Sequence, residues 1–209
     1  MNIAVDGLGV EGVHVWRGDR HVLKAVTLHI KPREVLHISG RNGSGKTTLL
    51  RVACGLLRPE QGRVTWQGRS ISEVRTEYQQ ALAYASHEPA LKGDLTALEN
   101  LRFMVGLRRR VSAAELTRCL ERTGVAGCTD LPVRVLSAGQ RRRVAMARVL
   151  GVHAALWMLD EPFTNLDAGG SETFAALIAE HVRQGGMAVV VAHHELVLPT
   201  QARRLELPG

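Results

Sequence analysis

The sequence predicts an α/β fold, a mostly parallel sheet with helices on its faces, into which a helical segment is inserted. Three observations predict it. Short β-branched runs alternate with helical patterns towards the end of the chain, the mark of strand–helix–strand units. A complete G-x-x-x-x-G-K-[ST] sequence, Gly40–Thr47, falls between a strand-like run and a helix-like one. The middle of the chain, bracketed by Pro89 and Pro132, carries helical spacing of its apolar residues.

Taken in order, Val10–Trp16 and Val22–Ile30 read as strands separated by the turn-like Arg17-Gly18-Asp19-Arg20. Glu34–Ser39 is a short run between Pro32 and Gly40, a strand entering a loop, and Thr48–Val52 continues as a helix. Gly62–Gly68 reads as a strand between glycines. Thr96–Val105, Ala113–Arg122 and Ser137–Leu150 are predicted helices, the first opened by Thr96 and Glu99 in capping-box spacing. Then come a strand at Ala155–Leu159, a helix near Ser171–Gln184, a strand at Met187–Ala192 and a short apolar tail, Leu205–Leu207. The expected organisation is one domain over 1–209, with 1–86 and 151–209 as an α/β core and 87–150 as a helical subdomain.

Composition excludes several classes. A chain of 209 residues with 45% hydrophobic and 22% charged residues can bury a sizeable core and is not expected to be disordered. The apolar stretches 154–159 and 187–192 fall far short of the ~20 residues of a membrane span. The first residues lack a basic region followed by an apolar one, so no secretory signal is expected. Cys54, Cys119 and Cys128 form no CxxC pair and are expected to be buried thiols. The net charge of +7 fits an anionic membrane surface, nucleic acid or no partner at all. Its densest points are Arg108–Arg110 and Arg141–Arg143, with 4% aromatics, which gives specific nucleic-acid binding little support.

Chemistry concentrates in two places. In Gly40-Arg41-Asn42-Gly43-Ser44-Gly45-Lys46-Thr47-Thr48, glycines let successive backbone N–H groups point at phosphate oxygens, and the following helix adds positive charge at its N-terminus. Lys46 is expected to reach the β- and γ-phosphates and Thr47 to hold Mg²⁺. The second place is Leu156-Trp157-Met158-Leu159-Asp160-Glu161, an apolar strand ending in two acids where parallel sheets bind ligands. Asp160 is placed to hold the water shell of Mg²⁺, and Glu161 to take a proton from water attacking the γ-phosphate. After the strand 189–192 comes His193, at the same edge, positioned to contact γ-phosphate and water. His194 is the alternative for that role.

These residues resemble the ATP-binding subunits of ABC transporters. Leu136-Ser137-Ala138-Gly139-Gln140 resembles their LSGGQ signature, with alanine for its first glycine. Glu161-Pro162-Phe163-Thr164-Asn165-Leu166-Asp167 is similar to the run into their D-loop, and His193 to their switch histidine. The resemblance covers nearly the whole chain. It implies a RecA-like P-loop core with an N-terminal antiparallel strand region, a helical subdomain carrying the signature, and two copies facing head to tail. Each ATP would then lie between one copy's phosphate loop and Ser137, Gly139 and Gln140 of the other. The family expects a glutamine between core and helical subdomain; here Ser86-His87-Glu88-Pro89 stands, and either His87 or Glu88 fills the place, Glu88 as a contact to Mg²⁺ or water. The aromatic that stacks on adenine would be Trp16, with Arg17 fitting some spacings equally.

Ser86–Pro89, Leu95–Phe103 and Leu136–Ala145 further resemble the ATPase of the cytochrome c maturation, or haem exporter, system. That resemblance implies membrane subunits like CcmB and CcmC, work at the cytoplasmic face of the inner membrane, and release of a haem-loaded chaperone; no direct haem contact is expected. The alternative is the ATPase of another small ABC exporter of drugs, lipids or polysaccharide. Apolar Ala90, Leu91 and Leu95, at the junction, are expected to meet a membrane partner.

Overall fold

The structure, a computed structural model, describes residues 7–192 and 197–208. Two strands, β1 (Leu8–Arg17) and β2 (Arg20–Ile30), pair antiparallel around the Gly18-Asp19 turn. The core strand β3 (Val35–Gly40) leads through the phosphate loop into α1 (Lys46–Ala53). Strands β4 (Gln61–Trp66) and β5 (Arg69–Ser70) complete a four-stranded antiparallel sheet in the order β2-β1-β4-β5. Helix α2 (Arg75–Ala81) runs directly into β6 (Leu82–Ala85).

Three helices follow: α3 (Ala97–Gly106), α4 (Ala113–Arg122) and α5 (Ala138–Val152). The chain then returns through β7 (Leu156–Asp160), α6 (Ala168–Arg183), β8 (Met187–Val191) and β9 (Ala202–Leu207). The second sheet is wholly parallel, in the order β6-β7-β8-β3-β9. Among the described residues no helix is long and apolar enough to cross a membrane.

The central sheet has a core on each face because side chains alternate along a strand. Leu156 and Met158 of β7 join the cluster under the antiparallel sheet and α1. Trp157 and Leu159 join the cluster that α3, α4, α5 and α6 share. β7 and β8 are buried at every position, the continuous apolar run that a strand covered on both faces requires.

Three elements were not expected from sequence, α2, β5 and β6, and β9 was marked only as an apolar tail at Leu205–Leu207. α2 is short and polar, with Tyr78 its buried residue. β6 is four residues long and follows α2 with no glycine or proline between them. Gly68 lies outside β4, whose place the glycine-bounded run marked correctly. The expected capping box of α3 forms: Thr96 Oγ1 accepts from Glu99 N at 3.1 Å, and Glu99 Oε2 accepts from Thr96 N at 2.8 Å. All three cysteines are buried and none is in a disulfide.

The arginine triplets are internal clamps more than a free basic surface. Arg108 donates to the carbonyls of Gln79, Gln80 and Leu82, tying the end of α3 to α2 and β6. Arg109 donates to Gly151 O at 2.7 Å and pairs with Glu115. In α5, Arg141 reaches Leu136 O, Arg142 the carbonyls of Ser86 and His87, and Arg143 both Thr123 O and Asp167. A guanidinium carries five donors in a planar fork, so one side chain holds several carbonyls of a neighbouring segment.

Candidate nucleotide site

The parallel strands end in one row of loops, and that row assembles the site. β3 ends at Gly40, and Gly40, Gly43 and Gly45 take φ of 142°, 79° and 99°, backbone that a side chain resists. A Cβ at Gly45 would also stand 2.8 Å from Leu23 Cδ2. Gly45 caps α1 without a side-chain hydrogen bond, and no acid lies in the first turn. The N–H groups at the start of α1 therefore face the loop with no N-cap side chain or first-turn acid competing for them, the arrangement that receives an anion.

Lys46 is 6% exposed, and its Nζ donates to Gly40 O at 2.8 Å and Arg41 O at 3.0 Å. Arg41 and Asn42 are exposed, while Ser44 and Thr48 are buried. Arg20 at the start of β2 donates to Gly43 O at 2.8 Å. Sequence reading missed this brace because the contact spans two elements, its partners 23 positions apart in the chain.

Thr47 Oγ1 donates to Asp160 Oδ1 at 3.3 Å. Asp160 is 1% exposed, and its Oδ2 is buried with no hydrogen-bond partner among the described residues. Burial raises its carboxyl above the usual range, the Thr47 hydrogen bond works against that, and the Glu161 charge adds to it. Ser44 Oγ is likewise buried and unpartnered. An orphaned carboxylate oxygen beside a threonine hydroxyl suits a hard divalent cation, and an orphaned hydroxyl in a glycine loop suits phosphate, so Mg²⁺ and a nucleotide triphosphate fit the groups present.

Glu161 follows at φ 52°, with its N–H donating to Val191 O at 2.9 Å. Its Oε2 lies 3.3 Å from His87 Nδ1 and accepts from Thr164 Oγ1 at 3.3 Å. Of the two junction candidates, His87 is therefore the one that faces Glu161. Glu88 is exposed; its backbone carbonyl accepts from Ser86 Oγ at 2.6 Å, and no contact among the described residues brings its side chain to the Thr47–Asp160 pair. His193 and His194 lie outside the described residues.

Trp16 is half-buried and stacked on His21, with centroids 3.9 Å apart and planes within 7°. His14 joins the stack and hydrogen-bonds His21 at 3.0 Å. Burial, with the nearby His14 and Lys24 charges, lowers the His21 pKa. Arg17 is exposed beside Arg20 at the turn.

Ser137 caps α5 in a second capping box: Ser137 Oγ accepts from Gln140 N at 3.1 Å, and Gln140 Oε1 accepts from Ser137 N at 2.8 Å. The Gln140 carbonyl is thus engaged within its own helix end, while Ser137 and Ala138 are exposed. Gly139 is needed for a different reason. A Cβ there would lie 2.6 Å from Asn165 O, so the signature turn and the loop after Glu161 are in backbone contact. Gly139→Ala is expected to cost about 1–3 kcal/mol by overpacking, whereas Ala138→Gly, at an exposed position, should cost less than about 1 kcal/mol; urea denaturation of both variants measures the difference.

The ABC transporter family model matches residues 23–164. The chain is 46% identical to the cytochrome c biogenesis ATP-binding export protein CcmA of Nitrosococcus oceani, over 96% of this chain and 91% of that protein. It is 42% identical to the protein of the same name from Escherichia coli K12, over 91% of each. Its fold superposes on a dimeric bacterial ABC transporter cassette with a TM-score of 0.87 at 26% identity, covering 96% of this chain and 94% of the other. An ATP-binding cassette dimer in a post-hydrolysis state, bound to ADP and phosphate, matches with a TM-score of 0.81 at 26% identity, over 90% and 88%. With its phosphate loop, acidic strand end and signature helix set around one edge of a parallel sheet, the chain belongs to the ATP-binding subunits of ABC transporters.

Proposed function

We propose that this chain hydrolyses ATP to power a membrane complex of c-type cytochrome biogenesis, in which haem is handled and a haem-loaded chaperone is released. The observation that carries the chemistry is the Thr47–Asp160 contact at 3.3 Å with Glu161 next in the chain. It sets a cation-holding pair beside a carboxylate that can take a proton. Lys46 and the glycine loop bind and orient the β- and γ-phosphates. Thr47 and Asp160 would hold Mg²⁺, which would offset the charge of the phosphates. Glu161 accepts the proton of the attacking water as the γ-phosphoryl group leaves ADP. Gly40–Thr48 as the nucleotide loop, Trp16 at the base, Ser137 and Gly139 towards the partner's nucleotide, and His193 at the γ-phosphate complete the proposed assignment. The biological setting rests on the CcmA relatives.

ABC cassettes act as dimers with membrane subunits. For this chain the proposed partners are a second copy, head to tail, and membrane subunits like CcmB and CcmC, at the cytoplasmic face of the inner membrane. Of the three apolar junction residues expected to meet such a subunit, Ala90 is exposed, while Leu91 and Leu95 are partly buried and Leu91 packs on the helical core. A cleft of about 520 Å³ also runs between α2, β6, α3 and α5, and its lining includes Leu56, Tyr84, Met104 and Leu107. Leu56 and Leu107 are 64% and 70% exposed, an exposure of large apolar side chains that a partner helix would cover.

Deleting the gene, in a strain with no second copy, is expected to abolish covalent haem attachment to c-type cytochromes while b-type cytochromes persist. Haem-stained gels of membrane and periplasmic fractions read this out. The intact gene should restore the bands and a Lys46→Ala copy should not. Normal c-type cytochromes in the deletion strain would overturn the biogenesis assignment and leave a general ABC export ATPase.

A further inference from the structure

We propose that Arg142 is a positioning residue that links the signature end of α5 to Glu161, so that occupation of one ATP site sets the catalytic carboxylate of the other. The inference rests on the head-to-tail dimer and on Glu161 as the general base. It adds a physical connection between the two sites.

Arg142 is 3% exposed and lies five residues beyond the Ser137 cap on one unbroken helix. At ~1.5 Å per residue that is about 7–8 Å of rigid rod. Its guanidinium donates Nη1 to Ser86 O at 2.9 Å and Nη2 to His87 O, and its Nε is buried without a partner among the described residues. Burial lowers its pKa, and the Asp160 and Glu161 charges work in the other direction, so it lies in the field of both acids.

The two carbonyls it holds belong to the segment leaving β6. β6 pairs with β7 in register, Ala85 opposite Leu159, so Ser86 and His87 emerge beside Asp160 and Glu161. His87 then meets Glu161 Oε2 at 3.3 Å. The path has four links: Ser137 at the surface where the partner's nucleotide would bind, Arg142 inside, the His87 backbone, and the His87 ring against the carboxylate.

A buried cation held by two carbonyls is a costly way to pack a helix against a loop. An apolar side chain of similar volume avoids the desolvation. What the guanidinium provides is a directional hold on both carbonyls at once. A displacement of α5 is passed to His87, where packing alone would absorb it. Placement of a general base is sensitive to such displacement, since an error of ~1 Å can cost about a hundredfold in rate.

The test uses the full chain assembled with its membrane subunits and measures ATP turnover against ATP concentration. Arg142→Met is expected to leave KM within about twofold, lower kcat by roughly ten- to a hundredfold, and reduce the Hill coefficient towards one. His87→Ala should do the same, and the double variant should be no worse than the more damaged single variant, the non-additivity of residues acting as one unit. Arg142→Lys, which keeps a donor but not the fork, should recover part of kcat. A double variant whose loss is the product of the single losses, or an unchanged Hill coefficient with kcat, would overturn the link and leave Arg142 as packing. If Arg142→Met does not fold, Arg142→Lys and His87→Ala carry the same comparison. Glu161→Gln run in parallel separates the two failures: if it turns over normally, the general-base reading fails and the link with it; if it is inactive while Arg142→Met is normal, the link alone fails.

Discussion

Glu161→Gln is expected to bind ATP with near-normal affinity and to hydrolyse it at least ~100-fold more slowly, the low end of what loss of a general base costs. The substitution keeps the size of the side chain and replaces the proton-accepting oxygen with an amide. Thr164 Oγ1 and His87 Nδ1 both meet Oε2, and the amide retains one oxygen that can face them, so the surroundings need not rearrange. The groups proposed to hold phosphate, Lys46 and the start of α1, lie on a different loop and are untouched. The variant should therefore accumulate as an ATP-bound dimer, seen as a doubled mass in size-exclusion chromatography with ATP and Mg²⁺. Turnover within a few-fold of the wild type, measured with the membrane subunits present, would remove Glu161 from the role.

Lys46→Ala is expected to lose ATP affinity by roughly ten- to a hundredfold. A charge-assisted hydrogen bond contributes ~1.5–3 kcal/mol, and every ~1.4 kcal/mol is a factor of ten in affinity. The side chain is buried and bridges Gly40 O and Arg41 O, so its removal also takes two bonds from the loop. A local loosening of Gly40–Gly45 is expected, with the sheets intact, because the surrounding Leu49, Leu50 and Ile38 belong to a core that Lys46 does not complete. Equilibrium binding of a fluorescent ATP analogue measures the affinity, and circular dichroism checks the fold. Unchanged affinity together with unchanged turnover would contradict the phosphate-loop assignment.

The parts of the molecule legible in the sequence are those where local chemistry decides. Gly40–Thr47 is contiguous because a loop of backbone amides must be, and Asp160-Glu161 ends an apolar run because a doubly covered strand can tolerate acids only at its mouth. The capping box at Thr96 is equally local. The Ser137–Gln140 box has the same spacing and also closes, giving Gln140, which the signature resemblance assigns to the partner's nucleotide, a local role at its own helix end. What the sequence withheld is long-range. The Arg142 contacts span 56 and 55 residues, and that of Arg20 joins a hairpin to a loop. In a linear reading such arginines count only as charge. β6 was lost for lack of length, and the exposed leucines 56 and 107 stand in separate helical regions that only the tertiary fold brings to one cleft.

The left-handed backbone of Glu161 sets local backbone strain against the proposed catalytic role at one residue. At φ 52° any side chain with a Cβ is strained by roughly 1–2 kcal/mol, and glycine is not. A glycine there would relax the strand end and remove the proposed proton acceptor in the same step. On that assignment, engineering this protein by heat challenge alone would reward a change that silences it, and any search for a sturdier variant has to score ATP turnover alongside melting temperature at this position.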